Sequence, residues 1–391
     1  MKINFRQMSV MLFLGFIALK FLVLPSVLYI HSENTSWFVV LVLMIIDGIY
    51  ALLIIDMMRK NQNKNINEFM KDTIGPVLTK IFLAILAIQF FLQVANIVKG
   101  LEFFVTENFY NNFHWILYVL PLIALTGFMM YKGLRNIARV QEVFYLSIVI
   151  GCLYIAFKSF ADVDPLVYLP MFKNGFMPLV TSGYTHLSWF GSSTFLLAIF
   201  GKVDFSNEKK KTPVFYIIFA ILLVQLVYFV FYGLFDVTSP THTFAISDIS
   251  QFSSSKSIID ELSWLVVSLW VVTQSIQISL YGYCLAKVSM CLFNVKSKFA
   301  MVVIINILIF LLGYVGAETI NFEKIFFTHF ASIITIIAQY VIPLVLLVGN
   351  AINNKKLKHE KTSLVISNHC QTNKGGEPWK NWKQYSAPGN L

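Results

Sequence analysis

Charge is what this chain has least of. Only 13% of its 391 residues are Asp, Glu, Lys or Arg, about half the ~25% usual in soluble domains. Cysteine is also scarce. The four present, Cys152, Cys284, Cys291 and Cys370, are scattered without the spacing of a disulfide framework or a metal site. No Gly-rich phosphate loop precedes a helix, and no His-Glu-x-x-His or Cys/His zinc set occurs. The seven histidines are dispersed, and no Ser/His/Asp arrangement stands out within an apolar run. These absences argue against an enzyme and against a bound metal or cofactor. The net charge of +10 does not by itself indicate a nucleic-acid partner, because the distribution of charge matters more than its sum.

Long apolar runs stand in place of charge. The chain is 57% hydrophobic, with a mean hydropathy of +0.70. Ten runs are long enough to cross a bilayer, since ~20 apolar residues span its hydrocarbon. They lie near 8–31, 37–58, 77–100, 114–131, 140–158, 176–202, 213–236, 262–286, 299–317 and 327–350. The expected fold is therefore an all-α integral membrane protein of ten transmembrane helices over 1–350. The N-terminal run is too long for a signal peptide and has no small-residue cleavage site. The polar stretch 351–391 reads as a disordered cytoplasmic tail.

Basic residues orient the chain. Of the 30 Lys and Arg, 24 fall in alternate loops, at the N-terminus and in the tail. Cytoplasmic loops carry such an excess, so both termini are expected in the cytoplasm. The roomy connections are 59–76 and 237–261, on opposite faces and five runs apart. The second also suggests a short helix near its end. An odd offset inverts one half relative to the other, the architecture of inverted-repeat transporters. The expected repeats cover about 1–158 and 176–350.

Polar residues inside apolar runs mark the candidate site. Gly15, Lys20 and Pro25 interrupt the first run, and Gly183, His186, Ser188, Gly191, Ser192 and Ser193 cluster in the sixth. Paired interruptions in corresponding helices of two halves point to a binding site, although Gly and Ser also permit plain close packing. Gln89, Gln93 and Asn96 share one helical face of the third run. Gln274, Gln277 and Tyr281 share one face of the eighth. These amides line a solute path or tie helices together. Lys20 and Asp47 lie at similar depth, which suggests an intramembrane pair that gates or carries a proton. His186 reads as a hydrogen-bonded core residue.

Three features then resemble the spore germination permeases, the permease-like subunits of nutrient germinant receptors. They are INFRQMSVMLFLGFIALKFLVLPS; YKGLRNIARVQEVFY with Gly133, Ile137, Ala138 and Arg139; and the ten-run plan with its polar linker after the second run. The resemblance covers roughly 3–350. It implies the amino acid–polyamine–organocation superfamily and a LeuT-type fold of two five-helix inverted repeats, with helices one and six discontinuous. A small amino acid or similar nutrient would bind among helices one, three, six and eight. Mapped onto this chain, the ligand contacts are Ala18, Lys20, Gln93, Asn96, Trp189, Gly191, Ser192, Gln274 and Gln277. The implied partners are a larger membrane subunit and a lipoprotein in the inner spore membrane. Two departures stand out. A small residue is usual where Lys20 stands, and an acidic residue is usual near the sixth-helix break, where this chain reads Trp189-Phe190-Gly191-Ser192-Ser193. A free-standing proton-coupled amino acid transporter and a purely structural partner subunit are the other readings.

Overall fold

In hydrocarbon no water is present to satisfy backbone N–H and C=O groups, so a spanning chain must satisfy its own. The chain is accordingly almost all helix. The structure is a computed structural model. It describes all residues except 1, 19, 22, 109–115, 171, 174, 207–208, 253–258, 320–328 and 354–391. Side chains are also left undescribed at 106–108, 117–118, 188, 259–267, 313–319 and 329–331. The expected disorder of the tail therefore lies outside the described residues, apart from a helical end at 351–353.

The helices are α1 (Phe5–Ala18), α2 (Leu24–Ser32), α3 (Ser36–Lys60), α4 (Ile66–Ile74), α5 (Pro76–Asn108), α6 (Ile116–Lys132) and α7 (Leu134–Ser159). They continue with α8 (Met177–Thr185), α9 (Phe195–Ala198), α10 (Lys211–Phe235), α11 (Ala245–Phe252), α12 (Ile259–Phe293), α13 (Lys298–Thr319) and α14 (His329–Ile336). The last runs through a wider π-type turn at Ile337–Val341 into helix over 342–353. Among the described residues, six segments are long and apolar enough to cross a membrane: Leu24–Lys60, Pro76–Val105, Leu134–Asp162, Lys211–Thr241, Ser268–Phe293 and Ser332–Asn353. Phe5–Ala18, Val119–Lys132 and Lys298–Leu312 are shorter apolar helices. The chain is an all-α membrane protein.

α1 is the centre. Every residue in it except Arg6 is buried, as expected of a helix apolar on all sides. α10, α7 and α12 pack around it, and α12 also packs along α5. Two residues before α1, Ile3–Asn4 (β1), pair in parallel with Val203–Asp204 (β2). This tie holds the start of the first run against the end of the sixth.

Two connections differ from their sequence reading. The polar linker 59–76 contains α4, started by a reciprocal cap. The Asn65 side chain accepts from the Glu68 N–H at 3.1 Å, and the Glu68 carboxylate accepts from the Asn65 N–H at 3.0 Å. In 237–261 the short helix is α11, in the middle rather than at the end. Phe103 and Phe104 of α5 pack on Phe244 just before it.

Candidate functional site

The first run breaks because Pro25 sits in the first turn of α2. Its ring excludes a helical carbonyl four residues back, which is that of Phe21. The chain leaves the helix after Ala18 and re-enters at Leu24, with Lys20 in the turn between. Among the described residues, several carbonyls there find donors from other elements. Gln274 Nε2 donates to Ala18 O at 2.9 Å, Tyr228 Oη to Lys20 O at 3.0 Å, and Ile246 N to Phe21 O at 3.3 Å. Tyr232 Oη donates to Pro25 O at 2.9 Å. These bonds support the break from α10, α11 and α12, as non-helical backbone at membrane depth requires.

The sixth run breaks at Gly191. The helix ends at Thr185, and a 3-10 turn covers Leu187–Trp189. Phe190 is extended, and Gly191 adopts φ +87°, a left-handed conformation that disfavours side chains. A Cβ there would also press on the Gln339 side chain. A second 3-10 turn over Ser192–Thr194 leads into α9. His186 is buried and its Nδ1 bonds Ser182 O at 2.8 Å, the core role expected of it.

The two breaks meet at Ser192. Lys20 Nζ donates to Ser192 Oγ at 3.2 Å. The backbone N–H of Ser192 donates to Asp47 Oδ2 at 3.2 Å, and Ser193 Oγ donates to Asp47 Oδ1 at 3.3 Å. Lys20 and Asp47 are both fully buried. They form no direct ion pair: Ser192 stands between them and holds one with its hydroxyl and the other with its amide. The ammonium also lies over two ring faces, 5.0 Å from the Phe190 centroid and 5.6 Å from that of Phe16. An ammonium has three N–H donors, and among the described residues Ser192 Oγ is the oxygen that accepts from this one.

Around this group the candidates divide. Gln274 bonds Ala18 O; Lys20 and Asp47 are joined through Ser192, and Gly191 precedes that serine. Trp189 is buried two residues before Gly191. Gln93, Asn96 and Gln277 are buried on α5 and α12 but have no hydrogen bond to Lys20. Among the described residues, both side-chain polar atoms of Asn96, Gln277 and Gln89 lack a partner, as do Gln93 Oε1 and Gln274 Oε1. Buried amides are ordinarily bonded, so this face of α5 and α12 holds a reserve of unused donors and acceptors. Tyr228 and Tyr232 were not candidates in the sequence. A tyrosine in an apolar run gives no signal until its partner carbonyl is known.

A family model described as spore germination protein matches residues 2–322. The chain belongs to that spore germination family. Its permease-type name fits a helical membrane protein with two broken helices at its centre. A Bacillus subtilis (strain 168) protein, YfkT, whose curated name places it in spore germination, is 23% identical over 280 residues. That alignment covers 66% of this chain and 73% of YfkT. At that identity the family does not fix which side chains bind what, so the site's chemistry rests on the geometry above.

Proposed function

We propose that this protein is the permease-like membrane subunit of a spore nutrient receptor, and that it recognises a small amino acid or similar solute between the two breaks. The observation that carries this reading is the Lys20–Ser192–Asp47 link. It puts a buried cation with spare donor capacity at the crossing of two interrupted helices. A ligand carboxylate would accept from Lys20 in a site poor in water, where charge-assisted hydrogen bonds are strong. The amides of Gln93, Asn96, Gln274 and Gln277 would meet its polar groups.

The reading extends to architecture. The chain would cross the membrane ten times, with LeuT-type inverted repeats over about 1–158 and 176–350 and both termini in the cytoplasm. Tail residues 351–391 would extend from the last crossing. The protein would act in the inner spore membrane beside a larger membrane subunit and a lipoprotein, without a catalytic step. Ligand binding would shift the population of two arrangements of the broken helices.

The test is made with purified protein in proteoliposomes. Equilibrium binding of labelled amino acids is measured beside their uptake under an imposed pH gradient. Saturable binding without uptake supports the receptor. Absence of binding for every amino acid overturns the ligand assignment. Uptake driven by the gradient supports the second reading, a proton-coupled amino acid transporter. The buried Lys20 and Asp47, bridged by one serine, favour that reading as a proton-handling pair.

A further inference from the structure

Ser192 reaches Asp47 across the interface between the sixth run and α3, and α14 touches both sides of that interface. It does so at its π-type turn, Ile337–Val341. The Gln339 side chain lies against Gly191, where a Cβ would fall 2.5 Å from Gln339 Cγ. Gly191 directly precedes Ser192. The Tyr340 hydroxyl donates to Leu187 O at 3.4 Å, in the 3-10 turn that leads into the break. The Tyr340 ring meets the Tyr50 ring edge-on, with centroids 5.2 Å apart. Tyr50 stands one turn beyond Asp47 on α3. Both Gln339 and Tyr340 are buried. Consecutive residues of one helix thus bear on both partners of the Asp47–Ser192 bond.

The turn also sets the phase of α14. Its i→i+5 bonds enclose one residue more than an α-helical turn, and one residue corresponds to about 100° of rotation. The helix beyond the turn is held at its far end. Asn353 Nδ2 donates to Asp72 O of α4 at 2.7 Å. A Cβ at Gly349 would fall 2.5 Å from Thr73 Cγ2 of the same helix. α4 in turn stacks Phe69 on Phe200, just past α9, at 4.7 Å. Removing the extra residue would rotate the far end of α14 against the Gln339 and Tyr340 contacts. Both sets are therefore held together with the wide turn in place. Such turns are frequent at functional sites.

We propose that the π-type turn of α14 positions the Asp47–Ser192 link, with Gln339 and Tyr340 as positioning residues, and that it carries a rearrangement of the sixth-run break to α4. Shifting the wide turn along α14 would withdraw both side chains from 187–191 and turn the far end against α4. The break and the cytoplasmic linker helix would then respond to one event in one element. The effect on solute binding rests on the receptor reading above; the effect on the backbone does not.

Hydrogen exchange of the purified full chain in lipid nanodiscs tests this, beside its unfolding midpoint. Tyr340→Phe keeps the ring on Tyr50 and removes the bond to Leu187. It should speed exchange over 187–194 by about fivefold, the usual weight of one hydrogen bond, with α7 unchanged. Deleting Ala338 restores an ordinary helical turn and should speed exchange over both 187–194 and Ile66–Ile74. Coupling is reciprocal, so Asn353→Ala at the far end should speed exchange over 187–194 as well. Ile333→Ala, on the exposed side of α14 before the turn, should exchange as wild type. Wild-type exchange over 187–194 in Tyr340→Phe overturns the positioning role. So does equal acceleration in α7, which marks general loosening. No change over Ile66–Ile74 in the deletion, or over 187–194 in Asn353→Ala, overturns the link to α4. Should the deletion not fold, Tyr340→Phe and Asn353→Ala decide both points. Labelled solute should bind Tyr340→Phe more weakly than wild type. Failure of the wild type to bind any solute counts against the receptor reading alone.

Discussion

The Tyr228 hydroxyl donates to the backbone carbonyl oxygen of Lys20 at 3.0 Å, and so props the unwound turn of the central run from α10. Tyr228→Phe removes the donor and keeps the ring. The stranded carbonyl lies inside the bundle, and an unsatisfied buried acceptor costs about 1–3 kcal/mol. The variant should unfold at lower temperature, with faster hydrogen exchange around residues 20–24. An unchanged exchange rate there would remove Tyr228 from support of the break.

Lys20 and Asp47 share Ser192, so their substitutions should not add. Lys20→Met leaves a buried carboxylate without its countercharge, and Asp47→Asn leaves a buried ammonium without its own. Either loss strands a buried charge and should destabilise the fold. The double variant should be less destabilised than the two singles summed, measured by denaturation in one detergent. Ligand response should be lost or altered in pH dependence wherever Lys20 is replaced, and a wild-type response in a folded Lys20→Met would exclude it from the mechanism.

The amides of α5 and α12 make the opposite kind of prediction. Asn96 and Gln277 have no protein partner for either polar side-chain atom. Replacing both by Leu removes groups that are costly to bury and should raise stability. The same change should abolish solute binding. A stabilised variant that still binds the ligand with full affinity would show that these amides serve only packing.

Acidification should loosen the short helix α11. His242 precedes it. Its ring stacks on Phe235 at 3.8 Å and lies 3.7 Å from Asp248, and its carbonyl accepts from Ser26. Burial lowers the imidazole from its ordinary value of 6.5. The unfolded segment therefore takes up a proton first as pH falls. The stabilisation is full above the ordinary histidine value and is lost on descent through the lower folded one. Hydrogen exchange over Ala245–Phe252 should speed up on acidification in the wild type, and His242→Gln should flatten that dependence.

How much of this was legible depended on how rare each residue is in its setting. Lys20, Asp47 and the Gly191 cluster stand out because charge and Gly-Ser sequences are anomalous in hydrocarbon. Their depths followed from counting residues along antiparallel runs. Their linkage through Ser192 did not follow, because a serine that accepts from Lys20 with its hydroxyl and donates to Asp47 with its amide leaves no pattern along the chain. Tyr228 and Tyr232 were invisible for the related reason that they serve distant backbone oxygens. The short helix α4 carried a readable signal, Asn65 followed by Glu68, and was overlooked because the surrounding linker is polar.

The parallel pairing of Ile3–Asn4 with Val203–Asp204 has a mechanical consequence. It couples the free end of α1 to the segment leaving α9, while Ser192 couples the inner ends of the same two pieces. Two levers pinned at both ends cannot swing independently. In the movement proposed above, α1 and the 192–204 segment would travel as one arm.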